Sequence, residues 1–159
     1  MPVSLTDYTI VPHSPVEQLR YRAPIEQRQQ KVPTILVISD DKDLRLLLVE
    51  CLQTLTYTAV GAAHGAQALA CLDQYPIHHV ILDFPLSPKS GTTTYAEIRE
   101  HANDVEIVAL SPSTQQTIQR QTPGRGADWY IQKPFRLADL QSALQSLQAR
   151  GQRVKLSRN

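Results

Sequence analysis

The chain has 159 residues, 42% of them apolar and 19% charged, with a formal net charge of +1. That length suits one domain with its own apolar core plus tails, so no disulfide or structural metal is needed to hold it. The longest apolar runs, such as Thr34 to Ile38 and Val105 to Leu110, are far too short to span a bilayer, and no charged-then-apolar leader opens the chain, so a cytoplasmic protein without membrane contact is expected.

Residues 1–33 read as an N-terminal extension. Pro2, Pro12, Pro15, Pro24 and Pro33 interrupt any long helix, and apolar residues are too sparse for a core; a short strand over 5–11 and one or two helical turns over 16–21 are the most it would form.

The globular pattern occupies 34–149. Thr34 to Ile38 is a continuous apolar run, as in a strand covered on both faces. From Leu44 the period changes, with Leu47, Leu48, Cys51, Leu52 and Leu55 following at helical spacing. A second strand is read over 57–62, a second helix over 64–74 and a central strand over 78–82. Gly91 opens a third helix, 105–110 is another buried strand, and a Gln-rich helix over 114–121 follows. The last strand is 128–132 and the last helix 136–148, with Leu137, Leu140, Leu144 and Leu147 as its stripe. Five strands alternating with five helices imply an α/β protein. The expected form is a flavodoxin-like, doubly wound parallel sheet of order 2-1-3-4-5 with helices on both faces.

Charge divides unevenly. Residues 32–149 hold twelve acids against eight bases, whereas 150–159 hold Arg150, Arg153, Lys155 and Arg158 and no acid, a basic tail read as a solvated end. Cys51 and Cys71 fall within helical patterns without metal-ligand spacing and are expected to be buried, reduced thiols. The histidines are scattered, and adjacent His78 and His79 would face opposite sides of a strand.

The strand ends carry the chemistry. Asp83 closes the central strand, and in a parallel sheet Ser39-Asp40-Asp41, Ser111 and Lys133-Pro134 open on the same edge, where ligands bind in such folds. Carboxylates brought together repel unless a cation offsets them, so Asp40 with Asp83 points to a hard divalent ion such as Mg²⁺. Lys133 adds a fixed positive charge and Ser111 a hydroxyl. These are the parts that hold a phosphoryl group in transfer, which is mostly positioning and charge stabilisation.

Over 33–148 the sequence resembles the receiver domain of two-component response regulators. The matching stretches are Ile35-Leu36-Val37-Ile38-Ser39-Asp40-Asp41, Val80-Ile81-Leu82-Asp83 with Gly91 eight residues on, Ile107-Val108-Ala109-Leu110-Ser111, and Gly126-Ala127-Asp128-Trp129-Tyr130-Ile131-Gln132-Lys133-Pro134-Phe135. The resemblance implies that Asp83 accepts a phosphoryl group from a histidine kinase or phosphotransfer protein. It implies that Asp40, Asp83 and the main-chain carbonyl of Pro85 hold Mg²⁺, that Ser111 and Tyr130 form the switch, that Lys133 binds the phosphoryl oxygens, and that the Lys133-Pro134 bond is cis.

The sequence departs from that pattern in places. Ser39 stands where an acid is usual, which implies weaker Mg²⁺ binding, and the loop proline falls at Pro88 with Ser87 before it. Pro85 and Pro112 lack main-chain N–H groups that the family turns toward the phosphoryl oxygens. The expected function is a stand-alone receiver, not an enzyme, that signals by contact with a downstream protein through helix four, strand five and helix five. The alternative is an atypical receiver acting as a phosphorylation-independent interaction module. No DNA-binding motif follows the last helix, so DNA binding by the chain alone is not expected, while a homodimer stays open. A small flavodoxin-like enzyme is disfavoured, because no Gly-rich phosphate loop follows the first strand.

Overall fold

Aliphatic runs become buried strands only where helices cover both faces, and the computed structural model shows that arrangement. It describes residues 32–84, 91–122, 124 and 126–157. The readings for 1–31, Pro85, Ser87 and Pro88 lie outside the described residues. In chain order the elements are β1 (Thr34–Ile38), α1 (Lys42–Thr54), β2 (Thr58–Ala62), α2 (Gly65–Gln74), β3 (Ile77–Asp83), α3 (Gly91–His101), β4 (Glu106–Ser111), α4 (Gln115–Gln121), β5 (Trp129–Gln132) and α5 (Leu137–Ser157). All strand pairs are parallel, in the order β2-β1-β3-β4-β5 that the alternation implies.

The two faces of the sheet divide the core by strand parity. Leu36, Ile38, Val80, Leu82, Ile107 and Ala109 meet Ala68 of α2 and Tyr95 and Ile98 of α3 on one side. Ile35, Val37, Ile81, Val108 and Leu110 meet Leu48 and Leu52 of α1 and Leu140, Leu144 and Leu147 of α5 on the other. Truncating one of the enclosed Leu or Ile side chains to Ala would cost about 2–5 kcal/mol, since the cavity left behind relaxes only in part.

Helix starts are set by local acceptors. Asp41 caps α1, its Oδ1 accepting from the N–H groups of Asp43 at 3.0 Å and Leu44 at 3.1 Å. His64, one of the scattered histidines, is exposed and caps α2 through Nδ1, which accepts from Gln67 N–H at 3.3 Å. Gly61 in β2 leaves room for a neighbour: a Cβ there would lie 3.2 Å from Cγ of Arg45, whose side chain crosses the strand. The last helix runs to Ser157, beyond the expected end at 148, because the following residues are mostly good helix formers that the basic composition does not disqualify. Both cysteines are free and only half-buried rather than fully enclosed; burial raises the Cys71 thiol pKa above its ordinary value. Among the described residues no helix is long and apolar enough to cross a membrane.

Candidate functional site

Parallel strands end together, and register then decides which side chains meet. Ile38 stands opposite Leu82, so Ser39 and Asp83 follow as neighbours. Asp83 pairs with Leu110, just before Ser111, and Ser111 pairs with Gln132, just before Lys133. Four residues distant in sequence are thereby delivered to one edge of the sheet.

Asp83 is its centre. Its side chain is 5% exposed, a burial that is costly for a carboxylate unless compensated. Oδ2 accepts the Ser39 hydroxyl proton at 2.7 Å, and Oδ1 forms an ion pair with the Lys133 ammonium. Lys133 keeps 26% of its side chain exposed, so one end of the pair reaches solvent. Its Nζ also lies 3.4 Å from the Phe84 carbonyl oxygen. The Lys133 N–H donates to the Ser111 carbonyl at 2.8 Å, and the Lys133-Pro134 bond is cis.

Ser111 is buried at the end of β4, where its Oγ accepts from Ser113 N–H at 3.0 Å. That bond occupies a lone pair and leaves the hydroxyl proton for another acceptor. It also engages the first main-chain N–H after Pro112, which has none of its own.

The neighbouring acids separate. Asp40 is exposed in the loop after β1, while Asp41 turns into the cap of α1. Tyr130, half-buried in β5, packs its ring against the α2–α3 side of the core. Its hydroxyl accepts from Ala127 N–H at 3.0 Å, over Gly126, whose φ is 76°. A Cβ at residue 126 would lie 2.8 Å from that hydroxyl. Tyr130 is therefore held against the segment leading into its own strand.

The structure thus brings together Asp83, Lys133 and the end of β4 carrying Ser111, and leaves Asp40 at the rim. It gives a role to two residues that sequence reasoning left without one. Ser39 was read as a lost acid, and it is a direct partner of Asp83. Arg45 lies over Gly61 and donates from a guanidinium nitrogen to the Ser39 carbonyl at 2.6 Å. The only sequence signal for the second was a glycine inside a strand, which marks close approach.

As a cation site, the edge offers hard oxygen donors but few charges. Among the described residues no group of three or more His, Cys, Asp or Glu side chains gathers. The two carboxylates, Asp83 buried beside an ammonium and Asp40 exposed, are hard oxygen donors of the kind a divalent ion takes.

Comparison with known proteins agrees with this architecture. A family model described as the response regulator receiver domain matches residues 35–145. The aerobic respiration control protein ArcA of Escherichia coli is 31% identical over 120 residues, covering 76% of this chain and 50% of that protein. Response regulator RR06 of Streptococcus pneumoniae is 30% identical over 113 residues, 71% of this chain and 52% of that protein. The sensor histidine kinase TmoS of Ectopseudomonas mendocina is 27% identical over 127 residues, 79% of this chain but 13% of that protein. The chain therefore spans about half the length of these regulators and much less of the kinase. Among solved structures, chemotaxis protein CheY4 of Vibrio cholerae has a TM-score of 0.67 at 23% identity, covering 73% of this chain and 98% of that one. Response regulator TrrA of Thermotoga maritima, solved in complex with Mg²⁺ and BeF, has a TM-score of 0.62 at 28% identity, covering 73% and 99%.

Proposed function

The chain belongs to the response regulator receiver family, and from that premise we propose that it accepts a phosphoryl group on Asp83 and signals by contact with another protein. The observation that carries this reading is the buried Asp83 carboxylate, in an ion pair with a lysine that itself reaches solvent. A carboxylate oxygen of Asp83 attacks the phosphorus of a phosphohistidine on a kinase or phosphotransfer protein. The P–N bond breaks as the O–P bond forms, and the histidine nitrogen leaves with the electron pair.

Lys133 neutralises the phosphoryl oxygens as they arrive, and Ser111, whose proton is not needed for its bond to Ser113, donates to one of them. Asp40 and Asp83, with the main-chain carbonyl of residue 85, would hold Mg²⁺. When bound, that ion supplies further positive charge against the developing negative charge. Tyr130 responds to the movement of Ser111 by leaving Ala127 N–H, which alters the face formed by α4, β5 and α5. This is signalling without turnover of a small substrate. We assign the receiver to 34–149, flanked by the extension and the basic tail.

The test is intact mass after incubation with Mg²⁺ and a small phosphodonor such as acetyl phosphate. One added phosphoryl group, lost in Asp83→Asn, is expected. A chain that stays unmodified under forcing donor and Mg²⁺ concentrations would sink the proposal.

A further inference from the structure

We infer that Ser39 is a positioning residue for Asp83: its hydroxyl does locally what a divalent cation must do when two acids share such a pocket, holding Oδ2 and leaving Oδ1 as the accepting oxygen. The second clause rests on the reading of Asp83 as a phosphoryl acceptor; the first does not.

Ser39 is fully buried, and its backbone is fixed on both sides. Its N–H donates to the Ala62 carbonyl at 3.1 Å, and its carbonyl accepts the Arg45 guanidinium at 2.6 Å. The hydroxyl oxygen accepts from Asp41 N–H at 3.2 Å, which leaves its single proton to choose between two acceptors. These are Asp83 Oδ2 at 2.7 Å and the Asp41 carbonyl at 3.4 Å. A hydrogen bond to a charged oxygen is the stronger, and the shorter distance selects the same partner.

Each Asp83 oxygen therefore has its own neighbour. Oδ2 takes the serine proton, and Oδ1 faces the Lys133 ammonium, the group a phosphoryl would meet. An acid at residue 39 would bring no such proton and would set a second negative charge beside the first, a repulsion that an added cation relieves beyond what the single Lys133 ammonium offsets. Serine turns that contact into an attractive one, so the resting pocket keeps its geometry without a metal ion.

The experiment is thermal unfolding of the whole chain in chelator and in millimolar Mg²⁺, for wild type, Ser39→Ala, Ser39→Thr and Ser39→Asp. The wild-type midpoint should differ little between the two conditions. Ser39→Asp should melt lower in chelator and recover with Mg²⁺. Ser39→Ala should melt about 3–10 °C lower in both. A role exerted through Asp83 requires two further results: Ser39→Thr restores most of the loss, and Ser39→Ala costs little when made on top of Asp83→Ala. A wild-type rise with Mg²⁺ as large as that of Ser39→Asp, or an equal cost of Ser39→Ala with and without Asp83, would overturn the inference. If Ser39→Thr or Ser39→Asp fails to fold, the Ser39→Ala and Asp83→Ala cycle decides alone. Intact mass of phosphodonor-treated wild type reports separately on the phosphoryl reading, and its failure leaves the midpoints and their meaning untouched.

Discussion

At the edge where the strands begin, Asp128 Oδ2 accepts from Ile107 N–H at 2.8 Å and from Arg99 at 2.9 Å. Arg99 also donates to the carbonyls of Val105 at 2.7 Å and Gly126 at 2.9 Å and to the Tyr95 hydroxyl at 3.2 Å. Burial works to lower the Arg99 pKa, but the hydrogen bonds and charge of Tyr95 and Asp128 outweigh it and leave it raised. At the edge where the strands end, Asp83 has one hydroxyl and one ammonium, and among the described residues no main-chain N–H donates to it. Both edges bury a carboxylate against a cation. The first is held by main-chain groups as well as side chains, whereas the second relies, among the described residues, on side chains alone. A pair surrounded by many hydrogen-bond partners serves the fold first, and one whose partners are side chains at a solvent-facing edge is a candidate for chemistry.

That contrast can be broken most severely at Arg99. Arg99→Met should destabilise the protein by about 3–5 kcal/mol, measured by urea unfolding, because it takes the guanidinium away from the Asp128 carboxylate, which keeps Ile107 N–H, and from two carbonyls. Loss of under 1 kcal/mol would show that the first edge is no more structural than the second.

A smaller effect is expected one turn away. Gly126→Ala places a Cβ at positive φ and against the Tyr130 hydroxyl, and should cost about 2 kcal/mol. In a Tyr130→Phe background the contact vanishes while the φ remains, so the added cost should fall by roughly half. An unchanged cost would assign all of it to backbone conformation.

The smallest stability effect belongs to the second edge. Asp83→Asn keeps an acceptor for Ser39 and frees a lysine that already reaches water, so the unfolding free energy should change by under about 1 kcal/mol. The same substitution is expected to abolish the phosphoryl adduct. Equal damage at Asp83 and Arg99 would erase the distinction between the edges.

The site was legible in the sequence where a residue follows directly from an unbroken strand. Asp83, Ser111 and Lys133 each stand at or just past the end of such a run, so their shared edge could be read without coordinates. Ser39 has the same placement, yet comparison with an expected acid made it look like an absence. Its role depends on a hydroxyl rotor aimed by Asp41 N–H, which no spacing encodes. Asp40 and Asp41 were adjacent letters with similar chemistry; helix capping drew one away from the pocket and left the other exposed. The Arg99 network joins residues from three segments through main-chain carbonyls, and carbonyls carry no sequence signature.

What the sequence determined by itself was the architecture. Strand and helix periods are local, the crossover rule has one hand, and strand parity then assigns every apolar residue to a face. What tertiary structure alone decided was partnership at the two edges: which oxygen of Asp83 meets Ser39 and which meets Lys133, and which carbonyls close around Arg99. Those choices are made by distances of a few ångströms between chain segments, where hydrogen-bond energies depend on angle and proton direction rather than on residue type.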